Sequence, residues 1–217
     1  MLVLKVNNGG IYITEINLYL SKYKNLRYNL FKKIYELNLF YKLILTFSFA
    51  CFTGILAQVR FYLPGTLVPI TGQVFAVLLA GVILGKFYGG FSQIMYLGLG
   101  SIGVPWFQGF SGGLTYLMGP TGGYLIGFIL AAFFIGFIVD RYIKSRGFIG
   151  MISLMLFSTF VLIYIPGLIW FYVWTGFSFG IVEILMMCVV PFVFIDLGKS
   201  LVAATIAGVI LPKKSCD

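Results

Sequence analysis

The sequence predicts an all-α, polytopic membrane protein with six transmembrane helices. Hydrophobic residues make up 60% of the 217 residues and charged residues only 10%, which leaves too few polar side chains to cover a water-soluble surface. The longest uncharged stretch, residues 87–139, has 53 residues. As one helix it would be about 80 Å long, far more than a hydrocarbon core of about 30 Å. This stretch must therefore turn back within the chain.

Each predicted span is an apolar stretch bounded by charged, glycine-rich or proline-rich residues. Residues 103–120 are uncharged and dense in glycine and proline, so we expect an irregular loop there. Residues 40–217 form one transmembrane substrate-binding domain in this interpretation. Its spans cover about residues 41–62, 69–85, 87–102, 121–139, 148–170 and 184–211.

Positive charge predicts the orientation of these spans. Six spans place both termini on the same side, and 13 of the 15 lysines and arginines fall on that side. Arg60 lies at the opposite end and Lys199 lies within a span. Because basic residues are retained on the cytoplasmic side, we predict a multi-pass protein of the cell membrane with both termini in the cytoplasm.

Residues 1–39 precede the first span and are polar and basic, with aromatic residues interleaved among the lysines. Aromatic and cationic side chains both favour the headgroup region of a bilayer. The segment also lacks the cleavage site of a signal peptide. We expect either an interfacial helix or a loosely ordered cytoplasmic extension.

Two short motifs resemble sequence motifs of enzymes. The triplet Gly198-Lys199-Ser200 resembles the end of a phosphate-binding loop, but the glycine required five residues before Gly198 is Val193. The "GFSG" motif at residues 109–112 resembles that of a serine protease, but the chain contains no histidine to act as its base. The sequence therefore predicts a protein that is not an enzyme, with neither a cofactor nor a metal site.

Asp196 and Lys199 are the strongest candidates for ligand binding. Three residues on a helix correspond to about 300° of rotation and 4.5 Å of rise, so both side chains share one face. Each charge would cost roughly 2.5 to 3.5 kcal/mol alone at a bilayer centre. A purely structural ion pair is one explanation. A ligand with N–H donors and a carbonyl acceptor, such as a cyclic urea, is the other.

Further candidates lie near the external loops and on the first span. Gln73 and Gln108 offer both donors and acceptors, and Tyr96 could form an aromatic pocket wall. A separate stripe of small residues permits close approach of another helix, either from a partner subunit or within the chain itself. The stripe consists of Ala50, Gly54 and Ala57.

With these features in view, the chain resembles the BioY family, the biotin-specific substrate-binding (S) components of energy-coupling factor (ECF) transporters. The resemblance covers about residues 45–212. It is carried by the following segments: "AQVRFYLPGTLVPITGQVFAVLLAGVILG" (57–85), "YLGLGSIGVPWFQGFSGG" (96–113), "GPTGGYLIGF" (119–128) and "DLGKS" (196–200).

The resemblance implies an ECF S-component fold that captures biotin from the external side. It implies that Asp196 and Lys199 hold the ureido ring and that Gln108 adds a polar contact. Arg60 is the external cation available for the ligand carboxylate. The implied partners are a membrane coupling subunit, which Ala50 and Gly54 would help to dock, and two cytoplasmic ATPases. An S component for another vitamin, a proton-coupled secondary transporter using Asp196, and a structural membrane subunit remain alternatives.

Overall fold

The computed structural model describes residues 10–63, 66 and 68–213, with side chains from residue 17 onward. The secondary structure is almost entirely helical, apart from one pair of two-residue strands, β1 (Arg60–Phe61) and β2 (Ile70–Thr71). The helices are α1 (Gly10–Glu36), α2 (Leu39–Gln58), α3 (Gln73–Ser101), α4 (Leu114–Leu117), α5 (Gly122–Arg141), α6 (Phe148–Phe157), α7 (Tyr164–Trp174), α8 (Ile181–Cys188) and α9 (Val190–Ile210).

Five helical stretches among the described residues are long and apolar enough to cross a membrane. One of them, α3, folds back on itself at Gly85, whose backbone is non-helical with φ 73° and ψ −174°. The Gln73 side chain donates to the Tyr96 hydroxyl over 2.8 Å, although the two residues are 23 positions apart. A straight helix would separate them by about 35 Å.

The two arms of α3, residues 73–84 and 86–101, are therefore antiparallel. Counted separately, the two arms raise the five candidate spans of the described residues to six segments, in approximate agreement with the predicted six helices. The first arm is only about 18 Å long and is shorter than a full hydrocarbon core. The second and third predicted spans are thus one helical hairpin with a single-residue turn.

The hairpin turn packs closely against α5. A Cβ atom on Gly136 would lie 2.3 Å from the carbonyl carbon of Gly85, so the backbones approach as closely as only glycine allows. The carboxylate of Asp140 then accepts a hydrogen bond from the backbone N–H of Lys86 over 3.0 Å. This bond satisfies one of the free N–H groups at the start of the second arm.

The fifth and sixth predicted spans are interrupted where the sequence pattern predicted continuous helices. A π-helical turn, Ser158–Ile163, joins α6 to α7 just before Pro166, which has no N–H to donate to the preceding turn. Between α8 and α9 the helix breaks at Val189, and Pro191 follows in the first turn of α9. The loop at 103–120 is irregular apart from α4, as expected.

Helix α1 packs across the basic end of the bundle. The Tyr23 hydroxyl donates to the carbonyl of Val209, and Arg27 donates to the carbonyl of Gly208, each over 2.8 Å. Phe31 is buried beneath the guanidinium of Arg146, 4.9 Å from its ring centre. From residue 10 to residue 36, the described part of the N-terminal extension is helical.

Candidate functional site

Asp196 and Lys199 lie on one face of α9, as their spacing predicts. The Lys199 Nζ is 2.6 Å from Asp196 Oδ1, and it also donates to the backbone carbonyl of Thr71 over 2.6 Å. Only 3% of the Asp196 surface is exposed. A charged pair this deeply buried is stable only with further polar partners, and strand β2 supplies one of them.

Tyr164 completes the arrangement from α7. Its hydroxyl donates to Asp196 Oδ2 over 2.6 Å, so each oxygen of the carboxylate has a donor. Sequence analysis missed this residue. The available signal was a phenol between Ile163 and Ile165 in the fifth span, where a hydroxyl needs a partner.

The charged pair lies in a pocket between the loops around residues 68–71 and 108–121 and helices α3, α5, α7 and α9. It contains about 560 Å³ of space not occupied by protein atoms, part of it open to solvent. Eight of the 17 lining residues are wholly apolar, three are tyrosines, and six carry other polar side chains. The lining residues are Val68, Pro69, Ile70, Thr71, Gln73, Val74, Gln108, Tyr116, Thr121, Tyr124, Leu125, Phe128, Ile163, Tyr164, Phe192, Asp196 and Lys199.

Gln73 lines this pocket, whereas Tyr96 lies behind it. Gln73 Oε1 accepts from the Thr71 hydroxyl over 2.9 Å, and Gln73 Nε2 donates to the Tyr96 hydroxyl. Tyr96 is fully buried and is not among the lining residues. Tyr96 therefore does not form a pocket wall, contrary to the prediction. Its ring packs against Trp106 and Phe107, and its hydroxyl, held in place by that packing, orients the Gln73 side chain.

Gln108 also lines the pocket, from the loop before α4. Its Oε1 accepts from the Tyr62 hydroxyl over 3.3 Å. Burial raises the pKa of neighbouring Tyr116, and hydrogen bonds with Thr121 and Gln108 partly offset this effect. The Tyr116 phenol therefore stays protonated at neutral pH and can act as a donor at the pocket wall.

Gln58, at the end of α2, holds this loop in place. Its Nε2 donates to the carbonyls of Trp106 and Phe107 over 3.2 and 2.9 Å. Its Oε1 accepts from the backbone N–H groups of Gly109 and Phe110 over 3.1 and 3.0 Å. Sequence analysis missed this residue too, since nothing local distinguishes it from other amides at a span end.

Two further groups of predicted residues do not line the pocket. Arg60 is exposed and pairs with Thr71 in the two-stranded ladder. Its guanidinium is 5.8 Å from the centre of the Tyr62 ring, and its charge acts to lower the pKa of Tyr116 in the pocket lining. The stripe of Ala50, Gly54 and Ala57 is buried within the chain. A Cβ on Gly54 would be 3.0 Å from Trp106 Cβ, which favours internal packing over partner docking.

The fold and the pocket together define a class: a multi-pass helical membrane protein with a small-molecule site closed by loops at one end of the bundle. A sequence model of the BioY family matches residues 29–214. The chain belongs to the BioY family.

Individual relatives are named as biotin transporters, and one solved structure has a similar fold. The chain is 46% identical over 140 residues to a probable biotin transporter BioY of Methanothermobacter thermautotrophicus, covering 63% of this chain and 89% of that protein. It is 42% identical over 145 residues to the biotin transporter BioY of Thermotoga maritima, covering 64% and 79%. A crystal structure of the S-component for biotin from an ECF-type ABC transporter superimposes with a TM-score of 0.70 at 25% identity, covering 77% of this chain and 88% of that one.

Proposed function

We propose that this protein captures biotin in the pocket headed by Asp196 and Lys199 and serves as the substrate-binding subunit of an ECF-type transporter. The observation that carries the proposal is the carboxylate and ammonium side by side, 2.6 Å apart, in the lining of an otherwise mostly apolar pocket. The names of its relatives support biotin as the ligand.

The ureido ring of biotin offers two N–H donors and one carbonyl acceptor. Each Asp196 oxygen accepts one hydrogen bond from the described residues, and a carboxylate oxygen has capacity for a second. The ammonium of Lys199 uses two of its three N–H groups. The pair can therefore engage a cyclic urea without giving up its own contacts, so structural pairing and ligand binding are compatible.

The remaining groups suit the rest of the ligand. Phe128, Ile163 and Phe192 supply apolar surface for the thiophane ring and the aliphatic chain. Gln108 and Tyr116 lie on the loop side and can donate to a carboxylate there. Arg60 is left out of this assignment because it does not line the pocket.

The distribution of basic residues supports a cytoplasmic location for the end of the bundle covered by α1 and for both termini, in the cell membrane. We assign ATP hydrolysis to two separate cytoplasmic ATPases joined through a membrane coupling subunit. Uptake of labelled biotin by cells should then require those subunits. Uptake that persists without an ATPase and collapses with the proton gradient would instead indicate a proton-coupled secondary transporter.

Isothermal titration of the purified protein with biotin tests the ligand directly. We expect saturable one-to-one binding that survives an excess of other vitamins. Absence of binding at micromolar biotin, or displacement by a different vitamin, would assign the pocket to another substrate. Absence of binding for every vitamin tried would favour a structural subunit.

A further inference from the structure

A second cavity lies at the basic end of the bundle, where α1, α2, the α3 hairpin turn and the end of α5 meet. It contains about 630 Å³ of space not occupied by protein atoms, part of it open to the surroundings. Two lysines line it, Lys42 from α2 and Lys86 from the hairpin turn, together with the rings of Phe87 and Tyr88. None of these residues contributes to the biotin pocket.

Both lysines are half-buried. Among the described residues, neither Lys42 nor Lys86 forms a salt bridge with a carboxylate. Lys86 Nζ lies 4.6 Å from the centre of the Phe87 ring, and Lys42 Nζ lies 5.6 Å from that of Tyr88. Ring contacts stabilise an ammonium only in part. An anion between the two would complete the pairing with charge-assisted hydrogen bonds.

Asp140 is the acidic group in the same lining, and its carboxylate is already engaged. One oxygen accepts from the Tyr35 hydroxyl and the other from the backbone N–H of Lys86. The cavity therefore has a net charge of +1 from its two lysines and one aspartate.

An apolar groove continues from this cavity along the lipid-facing side of the bundle. It shares Phe87 and Tyr88 with the cavity and runs between the second arm of α3 and α5, past Ile94 and Leu130. Ile94 and Leu130 are both 47% exposed. The joined surface is basic at the end of the bundle and apolar towards its middle. It is therefore complementary to a phospholipid that has an anionic headgroup and apolar acyl chains.

We propose that this joined surface binds one phospholipid with an anionic headgroup. The phosphate lies between Lys42 and Lys86, at the level where basic side chains meet the headgroups, and one acyl chain lies in the groove beside Leu130. The choice of an anionic lipid rests on the two cations that lack a carboxylate partner. The choice of a lipid over a free anion rests on the groove that continues from them.

Native mass spectrometry of the full chain, with dioleoyl phosphatidylglycerol or dioleoyl phosphatidylcholine added, tests the proposal. We expect retention of one phosphatidylglycerol in preference to phosphatidylcholine. Each lysine near an anionic headgroup contributes about fivefold to affinity, so Lys42→Ala with Lys86→Ala should lower retention roughly 25-fold. Leu130→Trp, which fills the groove, should lower retention while leaving both lysines in place.

Arg141→Ala with Lys144→Ala is the matched control, because it removes two exposed cations at the same end that do not line the cavity. It should change retention less than about twofold. If lipid retention falls equally in this control, or if the two lipids are retained equally, the effect comes from general surface charge. Either result would rule out a specific lipid site. Displacement of the lipid by glycerol phosphate at equal concentration, with no effect of Leu130→Trp, would overturn the lipid in favour of a free anion.

Discussion

The Tyr164 hydroxyl donates a hydrogen bond to Asp196 Oδ2 over 2.6 Å, joining α7 to α9 across 32 positions of the chain. This contact leaves Oδ1 for Lys199 and restricts the rotation of the carboxylate. The head of the pocket is thus a three-residue network in which a neutral donor and a cation hold one anion. Networks of this kind are more specific in geometry than an isolated pair.

Tyr164→Phe removes this donor and keeps the ring. We expect biotin binding to weaken by about 1.5 to 3 kcal/mol, the range for a hydrogen bond to a charged group, because Asp196 loses its fixed orientation. Isothermal titration measures the change. Tyr172→Phe is the matched control on the same helix, where the ring is at the surface, and unchanged binding is expected. Equal affinities for the two variants would remove Tyr164 from the site.

Asp196→Asn and Lys199→Met test the pair itself. We expect each to weaken biotin binding by about 1.5 to 3 kcal/mol, or roughly 10- to 150-fold, because each removes one charged partner of the urea. The double variant should lose less than the sum, since the residues are in contact. Lys144→Met controls for loss of a charge at an exposed position. If the variants fold and bind biotin with normal affinity, the pair has a purely structural role.

Arg60→Ala should leave biotin affinity within about twofold of the parent, because the side chain is exposed and does not line the pocket. An exposed charge acts on a ligand at a distance and is screened by salt. Titrations at low and high ionic strength measure both effects. A loss of more than tenfold that persists at high salt would place the guanidinium in direct contact with the ligand.

Gln58→Leu should destabilise the loop before α4 that contains Gln108. The change removes donors to two carbonyls and leaves the N–H groups of Gly109 and Phe110 without their acceptor. We expect the free energy of unfolding to fall by about 2 to 4 kcal/mol and proteolysis within residues 103–113 to become faster. Ser48→Ala, on the same helix, removes a hydroxyl that donates to the carbonyl of Ile44 one turn earlier and should have neither effect. Equal protease resistance in the two variants would contradict the role of Gln58.

Gly136→Ala should force the α3 hairpin away from α5, because its Cβ would lie 2.3 Å from the backbone of Gly85. We expect destabilisation of about 1 to 3 kcal/mol, as for other overpacked contacts, measured as a lower unfolding temperature in detergent. Gly98→Ala is the control within α3, since its Cβ meets nothing within 4 Å. That variant should be neutral or up to about 1 kcal/mol more stable. Equal unfolding temperatures would show that the hairpin turn can shift at no cost.

Much of the architecture follows from local pattern. Hydropathy predicts the spans, although it does not predict that the second and third share one helical hairpin with a turn at Gly85. Pro166 and Pro191 are visible in the sequence, but the π-helical turn and the helix break beside them depend on how neighbouring helices pack. Such interruptions do not change the mean hydropathy of a span, so a hydropathy pattern cannot detect them.

Composition and helical periodicity are sufficient to predict the class of protein, its basic end and the Asp196–Lys199 pair, because these patterns act within one segment. Which other residues join that pair depends on how distant segments pack together. Three polar groups come from distant segments: the Tyr164 hydroxyl, the Thr71 carbonyl and the Gln58 amide. Likewise, the stripe of small residues on α2 faces inward, where Gly54 packs against Trp106. These partners are specified by packing in three dimensions, since a buried polar group accepts any suitable partner that the fold brings within reach.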